Sequence, residues 1–599
     1  MASDVPEASI PGNAGQIRWL DLVRLILALI LTPAVLIYAW GRVLIFGMFR
    51  TWPETIYVGA LVFGIAAVIL LTAGLSARLR SPGLDRWVIA GVPTLWIGVC
   101  AFIVWLRIGD FIPRQIVGFL FILATLWVMW SAWMFYRPWS WGLRIGVLLA
   151  LIPFAVAFPM ILRVEGLTGE ANVNFAWRNA PIVDHGADLP AAQAESATGI
   201  ICDLNATTPH DTPQFLGPQR TGVFSDAGLT PDWNGTPPRE VWRQPVGAGL
   251  GSFAVVGDFA VTQEQRGEKE CVVCYRLSDG KLMWLHSDEA RFDSSMGGTG
   301  PRGTPAIADG TVYTVGGTGI LNCLRGDNGE QIWSVDILKD NGGRPIAHGV
   351  CGSPLVAGEW VIVAPTGAEG VCLAAYNRQT GKRVWRGGRH EASYGSPTVV
   401  ELAGVRQVLI ATSDGIEGSD FQTGKPLWNY MWTPETHVNC SQPIVVDAAA
   451  GKVLFCTGYN TGSVLLKVSA PAGGSCGVAE LWKSPQKMRT KFTTAIMHRS
   501  FAYGLDDGIL ACLDVATGKQ VWKGGRYQHG QLLLAGDLLI VQAENGEVVL
   551  VQPDPTKLIE LARIPALSSK TWNNPALAGR FLLVRNDQEA VCFELPVRP

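Results

Sequence analysis

The sequence predicts an all-β propeller of eight four-stranded antiparallel blades, preceded by an α-helical membrane domain of five transmembrane helices. Three observations predict it. Apolar stretches of spanning length crowd the chain before residue 165. Beyond residue 212, short runs of Val, Ile, Leu, Tyr and Phe are bounded by Gly and Asp, the texture of many short strands. Within that second part, a pattern with Gly four places before Trp returns five times. Composition agrees: of 599 residues 48% are hydrophobic and 16% charged, against roughly 25% charge in ordinary soluble domains.

A polar start, residues 1–21, leads into five stretches: Leu22 to Trp40, Ile56 to Ala77, Trp87 to Leu106, Ile116 to Tyr136 and Leu143 to Leu162. Each is long enough to cross a hydrocarbon core of about 30 Å at 1.5 Å per helical residue. More spans follow the first, so a retained anchor is expected rather than a cleaved signal peptide. Arg78, Arg80 and Arg86 crowd the second connection, and Arg137 and Arg144 the fourth. Cationic connections stay in the cytoplasm. The amino terminus is then cytoplasmic, and an odd number of spans carries everything after Leu162 across, which predicts a chain integral to a bacterial inner membrane with a periplasmic propeller. The spans hold almost no central ionisable side chain, which disfavours ion transport. Trp127, Trp130 and Trp133 form a helical stripe, read as packing or interfacial anchoring before a quinone groove.

Residues 163–212 are rich in Ala, Pro, Asn and Asp without periodicity and are expected to be an extracytoplasmic linker. The propeller is expected over 213–599. Its repeat ends at Trp284, Trp333, Trp385, Trp428 and Trp522, with Gly280, Gly329, Gly381, Gly424 and Gly518 four places earlier. That Gly supplies the positive φ of a tight hairpin. Spacings of 49, 52 and 43 residues between the first four Trp match the roughly 40 to 50 residues of a propeller blade. Degraded units follow around Trp482 and in the carboxy-terminal stretch, giving seven full units and a partial one. The early strand around Trp242 is expected to complete the last blade and close the ring.

Several function classes fall away. A net charge of −2, from 48 Lys plus Arg against 50 Asp plus Glu, offers no footprint for nucleic acid. Cys274, Cys323 and Cys512 each stand ten residues before a motif Trp, where Ala375 and Gly418 stand in other units, so the slot wants a small buried side chain. Cys271 and Cys274 have redox-pair spacing, yet i and i+3 point to opposite faces of a strand. Eight scattered His without metal-ligand spacing give no metal site.

The repeated TGK-x-x-W hairpin, preceded by strands such as DGTVYTVGGTGILNCL, resembles the PQQ-like repeat of the quinoprotein alcohol dehydrogenase-like superfamily over roughly residues 213 to 599. The resemblance implies eight blades, each Trp packed on a neighbouring blade, and in some members pyrroloquinoline quinone (PQQ) with Ca2+ on the axis. Five spans before such a propeller are similar in architecture to membrane-bound quinoprotein glucose dehydrogenases. There are no adjacent cysteines, which departs from the alcohol-oxidising members. From Arg239 to Pro596 there are 358 residues, about 45 per blade, which leaves little for loops around a substrate. The chain therefore looks more like the noncatalytic, BamB-like members, which bind partners.

Residues just upstream of each inner strand converge on the axial funnel of a propeller. Here they are Arg302, His348, Tyr394, His437, Asn439, Lys491, His529, Lys570 and Trp572. Such a cationic ring with aromatic members suits a polyanionic planar ligand, and PQQ carries three carboxylates. The expectation is a membrane-anchored scaffold that takes a small anionic ligand or a protein partner at the funnel. The alternative is a PQQ-dependent dehydrogenase that oxidises a sugar or alcohol and reduces membrane quinone.

Overall fold

The computed structural model describes residues 161–167, 173–179, 189, 202–294, 297–472 and 475–598. Apart from residues 161 and 162, the five predicted spans lie outside the described residues. Among the described residues no helix is long and apolar enough to cross a membrane. Leu162–Leu167, which begins at the last residue of the fifth expected span, and Val173–Trp177 form a two-stranded sheet where an irregular linker was expected.

Residues 239–594 build eight four-stranded antiparallel blades. Their innermost strands are Ala254–Val256, Ala306–Ala308, Leu355–Ala357, Thr398–Leu402, Ile444–Asp447, Ile496–His498, Gln531–Ala535 and Ala576–Ala578, blades 1 to 8 in that order. The outermost strand of blade 8 is Arg239–Pro245, which pairs with Glu589–Glu594 and sets Trp242 against Cys592. The amino-terminal closure read from the sequence is therefore the observed one, and the innermost strands of blades 8 and 1 pack side by side.

Each motif glycine has the predicted left-handed φ, from +68° at Gly381 and Gly424 to +76° at Gly329. The structure adds a second requirement. A Cβ on Gly280, Gly329, Gly381, Gly424 or Gly518 would collide with the ring of Trp242, Trp284, Trp333, Trp385 or Trp482 of the preceding blade. Several of these Trp also donate Nε1 to a carbonyl of the next blade: Trp242 to Leu277 at 2.7 Å, Trp284 to Gly326 at 2.9 Å and Trp482 to Val515 at 2.8 Å. The small-residue slot lies directly across the outer strand pair from Trp: Cys274, Cys323, Ala375, Gly418 and Cys512 face Trp284, Trp333, Trp385, Trp428 and Trp522. In every blade the register of that pair slips immediately after the slot, a bulge beside the Trp in all blades but the seventh. Cys271 and Cys274 fall in different apolar clusters, on opposite faces of their strand.

Residues 202–233 form a strap that the sequence did not announce. Leu204 accepts from Gly310 N at 3.1 Å, Thr212 pairs with Val255 of blade 1, and Pro213 accepts from Ile307 N of blade 2 at 2.8 Å. Further on, Gly222 accepts from Leu534 N at 2.8 Å and Val223–Phe224 pairs in parallel with the innermost strand of blade 7. Contacts that pass from blades 1 and 2 to blade 7 carry the strap across the axis. It lies at the carboxy-terminal ends of the innermost strands, because Asp211 accepts from Gly257 N in the turn after the first of them, at 3.2 Å. Midway, the buried Arg220 donates to the carbonyls of Pro354 (3.0 Å) and Ser353 (3.2 Å), just ahead of the innermost strand of blade 3. Burial without a carboxylate partner lowers its pKa to about 9.

Candidate functional site

A belt of hydrogen bonds fixes the register at the other end of the channel. Ser252 N donates to Thr304 Oγ1, Thr304 N to Ser353 Oγ and Ser353 N to Ser396 Oγ, at 2.9 to 3.0 Å, so a hydroxyl ahead of one innermost strand ties down the backbone of the blade before it. Gln442 N repeats the bond to Thr494 Oγ1 at 3.0 Å, and Ser252 Oγ donates to Asn574 O of blade 8 at 2.6 Å. Two residues before each belt position stand Leu250, Arg302, Cys351, Tyr394, Cys440, Phe492, His529 and Trp572, one per blade.

These side chains meet one another. Phe492 packs against His529 (centroids 5.6 Å apart) and against Trp572 (5.1 Å), joining blades 6, 7 and 8. Tyr394 lies within electrostatic reach of Cys351, Cys440 and Arg302, which joins blades 2 to 5. Lys570 stands over the Trp572 ring at 4.1 Å and is close enough to Arg302 to feel its charge, which brings blades 8 and 2 together.

Four of the nine residues expected from the sequence, Arg302, Tyr394, His529 and Trp572, occupy this ring. Lys491 and Lys570 stand one and two places before ring residues and still reach the cluster. Lys491 Nζ lies 3.0 Å from Asp507 and 3.5 Å from His529 Nε2. His348, three places before Cys351, packs its ring on Tyr394 (5.1 Å) and meets Ser294 Oγ through Nδ1 at 3.0 Å. Asn439 is buried and structural: its Nδ2 donates to Thr412 O at 2.7 Å and its backbone carbonyl accepts from Tyr394 N. His437 is exposed, at a left-handed φ of +56°. Sequence reasoning passed over Cys351, Cys440, Phe492 and Leu250. A fixed offset ahead of the Thr-Pro, Ser-Pro and Gln-Pro pairs at 304–305, 353–354, 396–397 and 442–443 finds Cys351 and Cys440, whereas Leu250 and Phe492 stand ahead of Ser252-Phe253 and Thr494-Ala495, which lack the proline.

Burial dominates the electrostatics. Arg302 is 8% exposed, and its guanidinium donates to the carbonyls of Gly300 and Gly298, while Nε has no partner. Desolvation lowers the pKa of Arg302 and of Lys570, and burial together with Arg302 pushes His348 down to about 4. Burial and Lys491 lower His529 as well. The Trp572 indole Nε1, also shielded from water, is a second donor without a partner. The site is thus a half-buried aromatic ring with buried cations and two vacant donors.

Comparison with known proteins agrees with this architecture. Residues 268–524 match the family model described as outer membrane protein assembly factor BamB, whose motif is the PQQ repeat. The repeats of this chain are similar to those of that family. Outer membrane protein assembly factor BamB of Burkholderia pseudomallei is 23% identical over 358 residues, covering 58% of this chain and 85% of that protein. Quinohemoprotein alcohol dehydrogenase ADH-IIG of Pseudomonas putida is 33% identical over 122 residues, 19% of this chain and 16% of that protein. Among solved structures, a europium-containing methanol dehydrogenase superposes with a TM-score of 0.50 at 14% identity, covering 65% of this chain and 98% of that one, which is a likeness of fold.

The PQQ-like repeats raise the question of a quinone with calcium. The donor set does not fit the calcium. Three carboxylates near the ring have partners of their own: Glu270 accepts from Gly317 N and Thr318 Oγ1, Asp507 pairs with Lys491, and Glu544 accepts from His529 N. Among the described residues, no three His, Cys, Asp or Glu side chains converge as a metal ion requires. What the ring offers is chemistry for an anion.

Proposed function

We propose that this chain is a membrane-anchored, extracytoplasmic binding scaffold whose propeller axis takes a small planar polyanion. The observation that carries the reading is the pair of vacant donors, Arg302 Nε and Trp572 Nε1, on two side chains bridged by Lys570. A buried cation whose hydrogen bonds run only to carbonyls gains most from an anion that enters with it. The aromatic members Phe492, Trp572 and Tyr394 supply flat apolar walls. The resemblance of the repeats to BamB supports binding over turnover.

The placement rests on the five apolar stretches and on the arginines of the second and fourth connections. Reporter fusions at residue 205 and in the second connection test it. Activity of an exported reporter at residue 205 alone is expected, and the reverse pattern overturns the topology. For the site, the full-length chain is titrated with PQQ, with and without Ca2+, while Trp fluorescence is followed. Saturable quenching that is independent of Ca2+ and accompanied by no dye reduction is expected. Absence of saturation removes the site, and turnover with sugars or alcohols replaces the scaffold with a dehydrogenase.

A further inference from the structure

The strap starts at two thiols. Cys202 and Cys274 are both buried, 3% and 0% exposed, in one apolar cluster with Leu204, Met283 and Trp284. Within that cluster Cys274 is near enough to lower the pKa of the Cys202 thiol. Neighbouring residues hold both sulfurs in place. Cys274 sits in the slot opposite Trp284. Two residues after Cys202, Leu204 is wedged so closely against Gly326 that a Cβ there would come within 2.9 Å of its Cδ1, while its carbonyl accepts from Gly310 N. The other slot cysteines have different neighbours: Cys323 Sγ faces Arg378 O at 3.8 Å, and Cys512 meets Tyr503.

We propose that Cys202 and Cys274 are a disulfide-forming pair that staples the strap to blade 1. The loop it closes contains both the segment that carries Arg220 across the axis and the strand Arg239–Pro245 that completes blade 8. One covalent bond would thus constrain the two features on which ring closure and the closed channel end depend, chiefly by limiting the unfolded chain. Formation in the cell rests on the extracytoplasmic placement proposed above, since disulfides persist in oxidising compartments.

The oxidant is a protein disulfide donor acting by thiol–disulfide exchange. Before the strap docks, the Cys202 thiolate attacks one sulfur of the donor's disulfide and expels the other as a thiolate. The Cys274 thiolate then attacks Cys202 Sγ in the mixed disulfide, forming the Cys202–Cys274 bond and releasing the donor's second sulfur. Two electrons pass from the two cysteines to the donor, and the two protons they lose end on the donor's thiols.

The test uses the full-length chain, reduced, then incubated with oxidised glutathione in sub-denaturing urea, alkylated, digested and analysed by mass spectrometry. A linked Cys202–Cys274 peptide is expected, with a Tm higher by about 5 °C than the reduced protein and no such gain in Cys202→Ser. Full alkylation of both thiols, or a bond from Cys202 to another cysteine, overturns the pair. A second sample is acid-trapped directly from producing cells. A bond present there supports both the pair and its compartment, whereas a bond that forms in glutathione yet is absent in cells overturns only the extracytoplasmic placement.

Discussion

Gly329 lies under the indole of Trp284 from the preceding blade, so close that a Cβ would come within 2.5 Å of Cε3. Its φ of +76° adds an independent reason for glycine. Gly329→Ala is therefore expected to cost about 2 to 5 kcal/mol, the sum of left-handed strain and overpacking. Gly257 isolates the first contribution, since its φ is +57° and nothing lies within 4 Å of its virtual Cβ. Gly257→Ala should cost only about 1 kcal/mol. Urea unfolding of both variants checks the difference, and equal losses would mean that the interblade contact contributes nothing.

Arg302 is a buried cation whose hydrogen bonds run only to backbone carbonyls. Arg302→Gln keeps much of the side chain's bulk and removes the charge, so anion affinity should fall roughly 10- to 100-fold with little change in unfolding midpoint. Lys491→Ala should behave differently. Lys491 sits 3.0 Å from Asp507, which is 40% exposed and whose pKa stays low against partial desolvation because of that neighbour, so its loss breaks a partly solvated ion pair. Destabilisation of up to about 1 kcal/mol is expected alongside weaker binding. Isothermal titration and denaturant unfolding of the two variants distinguish ligand cation from structural cation, and identical behaviour would remove the distinction.

Much of the propeller was legible because one side-chain contact repeats with one backbone geometry. Trp284, Trp333, Trp385 and Trp428 with their glycines mark the blades, and Trp242 marks the closure, since its partner Cys592 falls in the same small-residue slot. Blade 7 uses Ala562 where the others place Trp, so only its strands show. The axial ring was half legible. Proximity to the innermost strand located Arg302 and Trp572, but a one-residue shift exchanged Lys491 for Phe492 and Asn439 for Cys440, because adjacent side chains of extended backbone point to different places. The strap was illegible: its contacts are single bridges and lone hydrogen bonds to distant blades, which impose no period on the sequence.

Arg220 tests the strap's crossing. Its stem fills space on the axis while its charge is solvated by two carbonyls and Gln214 Oε1. Arg220→Ala leaves a void and unpaired carbonyls and is expected to cost about 2 to 4 kcal/mol. Arg220→Met keeps the stem and relieves the burial of a cation that lacks a carboxylate, so it should recover at least about 1 kcal/mol of that loss. Unfolding midpoints of the two variants decide it. Equal values would show that neither shape nor desolvation governs this position.

His348 makes the site a source of acid sensitivity. Burial, aided by Arg302, lowers its pKa from 6.5 to about 4, so the unfolded chain takes up the proton before the folded one does. The sign follows: the contribution of neutral His348 to stability is complete above pH 6.5, shrinks as pH falls toward 4, and amounts to about 3 kcal/mol over that window. His529 is shifted in the same direction and deepens the loss. His348→Gln removes the titrating group while retaining a polar side chain able to meet Ser294. Its unfolding free energy should therefore fall less steeply between pH 6.5 and 4 than that of the parent, and parallel profiles would place the acid sensitivity elsewhere.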